Sequence, residues 1–398
     1  LLIERYGFCG GTWTASGVNG VGGWHHDVDR RPLIGGVPIE IMRRLAALGA
    51  ARPAELVERL SKPLDTDPVY NTMAGLGCRW IQSNPERLKL LIDRMLAEAG
   101  VRVLYRVWAA HPWMEGNRVR GAFVESKSGR EAIAARVTID CTGDGDLAAH
   151  AGAPFKMGRD TDGACQPATA IFTVSGWDIE AHRDESRREA KAANRYAPAI
   201  AEARARGEIA RNPNDLFCAA TPLDMARPET ASVNFTRIQG VDATRVDDLT
   251  RAEIEGREQI DEALAFMRRH MAGGREAHLV TSPPHIGIRE SRRIEGDYVL
   301  TGDDILSGRQ FDDTIVRGIY LLDIHNPTEI GKPSVLTLLD APYGIPYRCL
   351  VPRGVEGFLV AGRCISGDHT AHASYRIMSH CMAMGPGGGC RRRPIRPR

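Results

Sequence analysis

Apolar and polar positions along the chain alternate in blocks that predict short strands and amphipathic helices. Residues 1–5 are a brief apolar run ending in Glu4-Arg5, which predicts a buried parallel strand. Residues 6–36 are glycine-rich and predict a loop that lets another group approach the backbone closely. Residues 38–48 have helical spacing and stop at Gly49. Asn84-Pro85 predicts a helix start, with Leu88, Leu91, Ile92, Met95 and Leu96 on one face and Gly100 at the end. Residues 101–105 alternate as a strand. Residues 118–125 and 132–140 predict two more strands around Ser128-Gly129. Residues 175–207 are charged and Ala-rich, and predict helix. Residues 251–271 predict an amphipathic helix with Ile254, Ile260, Leu264 and Met267 near one face. Residues 232–237 are strand-like, residues 358–362 form the last buried strand, and residues 375–385 predict helix.

Composition narrows the class without naming a chemistry. The 398 residues suffice for two or three domains. Lys plus Arg number 52 against 50 Asp plus Glu, a balance that asks for neither nucleic acid nor an acidic membrane. The basic run is confined to residues 391–398, and residues 386–398 are expected to be an unstructured tail. No apolar run approaches the roughly 20 residues of a membrane span. The nine cysteines form no C-x-x-C pair, which argues against a disulfide framework, a zinc ribbon or a locally bound iron–sulfur cluster. They suit a reducing compartment, the cytoplasm, although an export signal lost with a missing start would change that. No metal site is expected.

Three segments carry candidate chemistry. Glu4 ends the first strand, where a carboxylate can accept hydrogen bonds from a ribose; Arg5 follows, and Gly10-Gly11-Thr12 can turn backbone N–H groups toward a pyrophosphate. Alone, an acid at a strand end is common. Next, Ile139-Asp140-Cys141-Thr142-Gly143-Asp144-Gly145-Asp146 runs from an apolar strand into a turn whose glycine lets a ligand approach; Asp146 is expected to cap the helix that follows. Third, the strand at 358–362 ends in Gly362-Arg363, and Asp368 lies in the polar turn before the last helix.

In this order the segments resemble the FAD-dependent oxidoreductases of the glutathione-reductase-like superfamily. They resemble in particular a bacterial branch that is also similar to the flavin-bearing part of heterodisulfide reductase. The resemblance rests on residues 1–23, on 135–158 with Ala151-Gly152-Ala153-Pro154, on Ile286-Gly287-Ile288-Arg289-Glu290-Ser291-Arg292-Arg293, on Ile345-Pro346-Tyr347-Arg348, and on Val360-Ala361-Gly362-Arg363-Cys364-Ile365-Ser366. It implies an α/β fold: an FAD/NAD(P)-binding, Rossmann-like parallel sheet with a crossover antiparallel sheet, plus an α+β substrate or cap domain. The FAD-binding domain would be discontinuous, over 1–50, 84–165 and 341–385, with the substrate or cap region over 51–83 and 166–340.

The resemblance implies FAD as cofactor. Glu4 and Arg5 would lie at the adenosine ribose, Gly10, Gly11 and Thr12 along the cofactor, and the backbone near Val107 at the adenine. Thr142, Gly143, Gly362, Arg363 and Asp368 would flank the pyrophosphate, ribityl chain or flavin. Candidates for the substrate pocket are His285, Arg289, Arg292, His325 and Arg348, because a guanidinium can hold an anion bidentately and a neutral imidazole can move a proton. His25, His26, His369 and His372 are looser candidates. Arg289 and Arg292 could instead pair with Glu290, Glu295 or Asp297 as structure.

Two departures from the family pattern stand out. No strand and G-x-G-x-x-G loop precede Leu1, so the chain reads as truncated at its start. After Gly385, Pro386-Gly387-Gly388-Gly389 should stop the last helix. The expected function is hydride transfer from a small organic substrate to FAD, with the electron acceptor unknown and a homo-oligomer left open. The alternative is a non-catalytic remnant that does not retain FAD. An NAD-binding dehydrogenase and a cluster-linked electron-transfer protein fit less well.

Overall fold

Four strands pair in parallel, in two separate two-stranded sheets of the computed structural model. The structure describes residues 1–27, 29–52, 57, 81–188, 196–209, 221–224, 227–328 and 334–389. Leu2–Glu4 lies beside Val103–Tyr105, with Ile3 opposite Leu104. Thr138–Asp140 lies beside Phe358–Val360, with Ile139 opposite Leu359. The sequence predicted one Rossmann-like parallel sheet. Among the described residues no ladder joins the two pairs, so the architecture defined by hydrogen bonds is a mixed α/β fold of small, mostly antiparallel sheets. Apolar runs of this length specify burial, not which neighbour supplies the hydrogen bonds. The first strand is also only half-buried, whereas Phe358–Val360 is buried throughout.

One antiparallel sheet has three strands: Trp108–Glu115, Arg118–Ser126 and Gly129–Ala134. Gly121, at φ 150°, is required there, since a Cβ would stand 1.9 Å from the Ile133 carbonyl oxygen. The expected strand 132–140 is really two. Ala135 N bonds to Arg120 O within this sheet, and Thr138 N bonds to Gly357 O beside the final strand, so the backbone changes partner between them. The glycine-rich region is not all loop: Thr12–Ala15 makes a helical turn, and Gly20–Val21 pairs with Ile81–Ser83.

Helix Pro85–Glu98 starts as expected. The Asn84 side chain accepts from Glu86 N and Arg87 N, satisfying two N–H groups that a helix start leaves unpaired. Asn84→Ala should cost about 1 kcal/mol in urea denaturation. Helix Val246–His270 begins five residues earlier than its pattern suggested. Its buried face carries Ala252, Gly256, Ile260, Leu264 and Met267, while Ile254 is exposed, off that face. The helical stretch expected over 175–207 contains Ile179–Arg188 and Ala197–Ala205. The strand expected over 232–237 is Arg227–Val233, in a four-stranded antiparallel sheet with Thr221–Asp224, Phe172–Ser175 and His278–Thr281.

Two apolar cores result. One gathers Phe172, Trp177, Ile200, Phe266 and Ile286 between the four-stranded sheet and its helices. The other gathers Trp24, Met42, Leu88, Leu147 and Val360, together with Ile294, Leu300, Val316 and Leu339 from the stretch the sequence grouped with the cap. Most of 51–83 lies outside the described residues, as do the basic residues 390–398. The chain's last helices are His369–Tyr375 and Met378–Gly389, where one was expected over 375–385. Pro386 does not stop the second. It sits inside the helix, and Gly387 lies so near Ile315 that a Cβ would come within 2.7 Å of its Cδ1. Close packing against a strand compensates for the lost backbone bond. Among the described residues no helix is long and apolar enough to cross a membrane.

Candidate functional site

The first wall of the site is built by the turn after Leu2–Glu4. Glu4 anchors the strand end: its carbonyl accepts from Val107 N at 3.1 Å and its Oε1 from Tyr6 N at 2.9 Å. Burial raises the Glu4 pKa, and the Tyr6 N–H opposes the rise. Arg5 lies over the Tyr6 ring at 4.9 Å and the Trp108 ring at 5.4 Å. Gly10 and Gly11 both have positive φ. A Cβ on Gly10 would strike Thr14 at 2.5 Å, whereas one on Gly11 would meet nothing within 4 Å. Gly11 therefore presents bare backbone to open space.

The opposite wall comes from the ends of Thr138–Asp140 and Phe358–Val360. Asp140 is buried, and its Oδ1 accepts from Thr142 N at 2.9 Å and Thr142 Oγ1 at 2.7 Å, while Oδ2 accepts from Ala148 N at 3.1 Å. This carboxylate shapes the turn from below. The cap expected of Asp146 is absent. Gly145 is the N-cap, in the left-handed conformation, and Thr142 Oγ1 accepts from Asp146 N at 3.2 Å. Asp146 is then free to pair with Arg292 Nη1 at 2.9 Å. Gly143 lets Arg363 cross it, since a Cβ there would be 2.5 Å from Arg363 Nη2. Arg363 Nη2 donates to Asp144 Oδ1 at 3.0 Å, and Ser291 Oγ donates to the same oxygen at 2.6 Å. Gly362 has φ 100° and, like Gly11, open space where a side chain would go.

Between these walls lies a cavity of about 300 Å³. Of the nominated residues, Arg5, Gly10, Gly11, Thr12, Thr142, Gly143, His285, Gly362 and Arg363 line it. Three polar atoms on lining residues, Ser16 Oγ, Arg363 Nη1 and Arg376 Nε, are buried without a hydrogen-bond partner among the described residues. Buried donors left so are costly unless a ligand meets them. An anionic cofactor fits this donor set: bare backbone at Gly11 and Gly362, the Arg363 guanidinium, and apolar Trp13, Ile41 and Met382 among the lining residues. Cys141 and Cys381 also line it; burial pushes the Cys381 thiol up to about 12, so it stays protonated at neutral pH and is a poor nucleophile.

The remaining nominated residues sit elsewhere. Val107 is buried behind the Glu4 strand end. Asp368 caps helix His369–Tyr375, accepting from Ala371 N at 2.7 Å, and also accepts from Gly302 N at 2.9 Å. Arg348 is half-exposed and forks onto Asp313 at 3.0 and 3.2 Å. His369 Nδ1 meets buried Glu290 at 2.9 Å. His285 Nδ1 is 3.2 Å from Glu253 Oε1, with Nε2 3.4 Å from Arg5 Nη2. Arg289 and His325 belong to a cluster that the sequence revealed only in part. His325 Nε2 is 3.2 Å from Asp323 Oδ2, and Arg376 Nη2 donates to that oxygen at 3.1 Å. Arg237 Nη2 approaches His325 Nδ1 at 3.4 Å. Burial opposes the Asp323 charge, but His325, Arg376 and Arg289 hold its pKa well below the carboxylate range. Burial, then Arg289, push His325 down to about 3, so it is neutral. One signal was available for Asp323: an acid inside the apolar run Tyr320-Leu321-Leu322-Asp323-Ile324.

The fold is a mixed α/β one of small, mostly antiparallel sheets around this cleft. A family model described as FAD dependent oxidoreductase matches residues 1–390, and the chain belongs to that family. FAD is its cofactor. No curated protein matches. Among solved structures, the chain is similar to the myxobacterial chondrochloren halogenase CndH, an FAD-dependent halogenase, at 14% identity and TM-score 0.37, over 75% of this chain and 60% of that one. It is similar to CabE, an aromatic hydroxylase from angucycline biosynthesis, at 11% identity and TM-score 0.36, over 74% and 48%. It is also similar to p-nitrophenol 4-monooxygenase PnpA from Pseudomonas putida DLL-E4, at 10% identity and TM-score 0.33, over 56% and 46%. The chain thus spans 46–60% of the length of these structures, and likeness at this level carries nothing about its activity.

Proposed function

We propose that this FAD-dependent oxidoreductase oxidises a small organic substrate by hydride transfer, in the cavity between the Gly10-Gly11 and Gly362-Arg363 turns. When bound, FAD accepts the hydrogen and its electron pair as a hydride. The backbone at Gly11, Thr12 and Gly362 and the Arg363 guanidinium hold the cofactor. Glu253, whose pKa is lowered by His285 and the Ile286 N–H despite burial, accepts from His285 Nδ1. That bond makes Nε2, 3.4 Å from Arg5 Nη2, the proton-accepting nitrogen of the imidazole. As the substrate's C–H bond breaks, the proton of its O–H or N–H group passes to His285 Nε2. The narrower likeness to the glutathione-reductase-like superfamily and to the flavin-bearing part of heterodisulfide reductase belongs to the same proposal.

One observation carries the reading: two positive-φ glycines with open space at their Cβ positions, Gly11 and Gly362, line one cavity with Arg363, whose Nη1 has no partner among the described residues. The purified chain should show flavin bands at close to one FAD per chain. Gly362→Val places a branched side chain in that space and at a φ that valine resists. It should lower FAD content at least about tenfold, with far-UV circular dichroism unchanged, because the strain and blockage together exceed about 1.4 kcal/mol. A colourless wild-type protein that added FAD does not stabilise would overturn the proposal.

A further inference from the structure

Arg289 is a guanidinium without a carboxylate partner among the described residues. Its Nη1 donates to the Pro167 carbonyl, a neutral acceptor, while a guanidinium offers five N–H donors. The residue is partly buried. Its charged neighbours are Arg237, Arg376 and Asp323. Asp323 is already engaged by Arg376 at 3.1 Å and by His325 at 3.2 Å. Arg289 and Arg376 thus share one carboxylate, and the imidazole beside it is neutral. Burial, then repulsion from Arg237 and Arg376, push the Arg289 pKa well down. A cation in such a place is either a liability or a seat for an anion.

Position favours the seat. Ile288, next to Arg289, lines the cavity, and so does Arg376, whose Nε has no partner among the described residues. The cluster is built from the segments around Gln166, Arg237 and Asp323. Gln166 Oε1 accepts from His325 N at 3.1 Å, while its buried Nε2 is a further donor without a partner among the described residues.

We propose that the substrate is a small organic carboxylate whose carboxylate group binds Arg289, with Arg376 beside it at the inner wall of the cavity. This rests on the oxidoreductase reading and supplies its substrate class. The planar fork of Arg289 matches a carboxylate bidentately, which fixes the substrate's orientation as well as its charge. Neutral His325 adds no cost to bringing a hydrogen-bearing carbon nearby.

The test uses the purified full chain with FAD content measured first. Sodium acetate, pyruvate, succinate and benzoate are titrated at constant ionic strength, with thermal unfolding and the flavin spectrum as readouts. Acetamide, succinamide and benzamide serve as neutral counterparts. At least one carboxylate should raise the Tm saturably where its amide does not. Arg289→Gln should raise the Kd of that carboxylate at least about tenfold, Arg289→Lys should fall between, and FAD content should be unchanged in both. Because no carboxylate pairs with Arg289 directly among the described residues and Asp323 acts on it only as a shared, more distant charge, ligand-free Arg289→Gln should melt close to the parent, whereas an arginine that holds the fold would lower the Tm clearly. If no carboxylate binds, or Arg289→Gln binds it as the parent does, the proposal fails. It fails also if Arg289→Gln loses FAD, since the arginine would then serve the cofactor's phosphates. A colourless parent would sink the oxidoreductase reading alone, because the Tm series reports carboxylate binding without flavin.

Discussion

Glu290→Ala should remove about 3–5 kcal/mol of stability, the cost of stranding a buried charge. Glu290 is 2% exposed and Arg293 likewise 2%. The Glu290 carboxylate accepts from Arg293 Nη1, from Gln166 N at 3.0 Å and from His369 Nδ1 at 2.9 Å. Arg293 is otherwise bonded only to carbonyls among the described residues, Gly367 O at 3.0 Å and Gly158 O at 2.8 Å. Removing the carboxylate leaves the guanidinium in the interior with no counter-charge. Glu290→Gln keeps an acceptor but not the charge, and should cost less, about 1.5–3 kcal/mol. The double variant Glu290→Leu with Arg293→Met removes both charges and should recover much of the loss. Urea denaturation at pH 7 decides it: a Glu290→Ala loss below about 1 kcal/mol would mean water reaches the pair and the interior setting is wrong. The pair matters to the site because Glu290 ties helix His369–Tyr375 to the Gln166 segment, next to Arg289.

What the sequence disclosed and what it hid divide along local and non-local lines. Asn84-Pro85 announces a helix because the cap is made within three residues. Gly10, Gly11, Gly143 and Gly362 were legible as turns because positive φ leaves its mark on residue choice, and all four line the cavity. The run 132–140 was misread because its break depends on Arg120 and Gly357, which no window around the run contains. Pro386 was misread for a related reason: its helix continues where Gly387 packs on Ile315, a contact 72 residues distant in sequence. The nominated arginines show the limit most clearly. Arg289, Arg292 and Arg293 are near-identical in the sequence, yet one donates to a carbonyl, one pairs with Asp146 and one is buried on Glu290. Only the fold decides which of them a ligand can use. Asp323 and Arg376 join across 53 residues, so neither could be paired by spacing.

Lowering the pH from 7.5 to 5 should cost the protein several kcal/mol and bring it near unfolding. Three histidines are buried in neutral form. Burial, then Arg289, hold His325 at about 3; burial, then His25, hold His380 at about 3; burial, then Arg293, hold His372 well below its ordinary value. In the unfolded chain each would titrate near 6.5. Between the folded and unfolded values the unfolded chain binds more protons, so stability is complete above about pH 6.5 and is lost as pH falls through that window. Each histidine contributes a slope approaching about 1.4 kcal/mol per pH unit, and three together about 4. Carboxylates whose pKa values are lowered on folding, Asp323, Glu253, Asp304 and Asp313, add to the loss only once pH falls through their unfolded values. Asp140 and Glu4, raised by burial, act in the opposite sense and offset part of it. The net drop by pH 5 is still comparable with a typical total stability of about 5–15 kcal/mol. Thermal unfolding from pH 8 to 5 should show the Tm falling steeply below pH 6.5, with two to three protons taken up per molecule unfolded. His380→Gln should shallow the slope by about one proton's worth. His380 has Nε2 buried without a partner among the described residues, and its ring lies so close to Gly318 that a Cβ there would come within 2.4 Å of it. A Tm that stays level from pH 7.5 to 5.5 would show that these three rings accept protons in the folded state, and that the packing around His325 and the arginine cluster is looser than the structure has it.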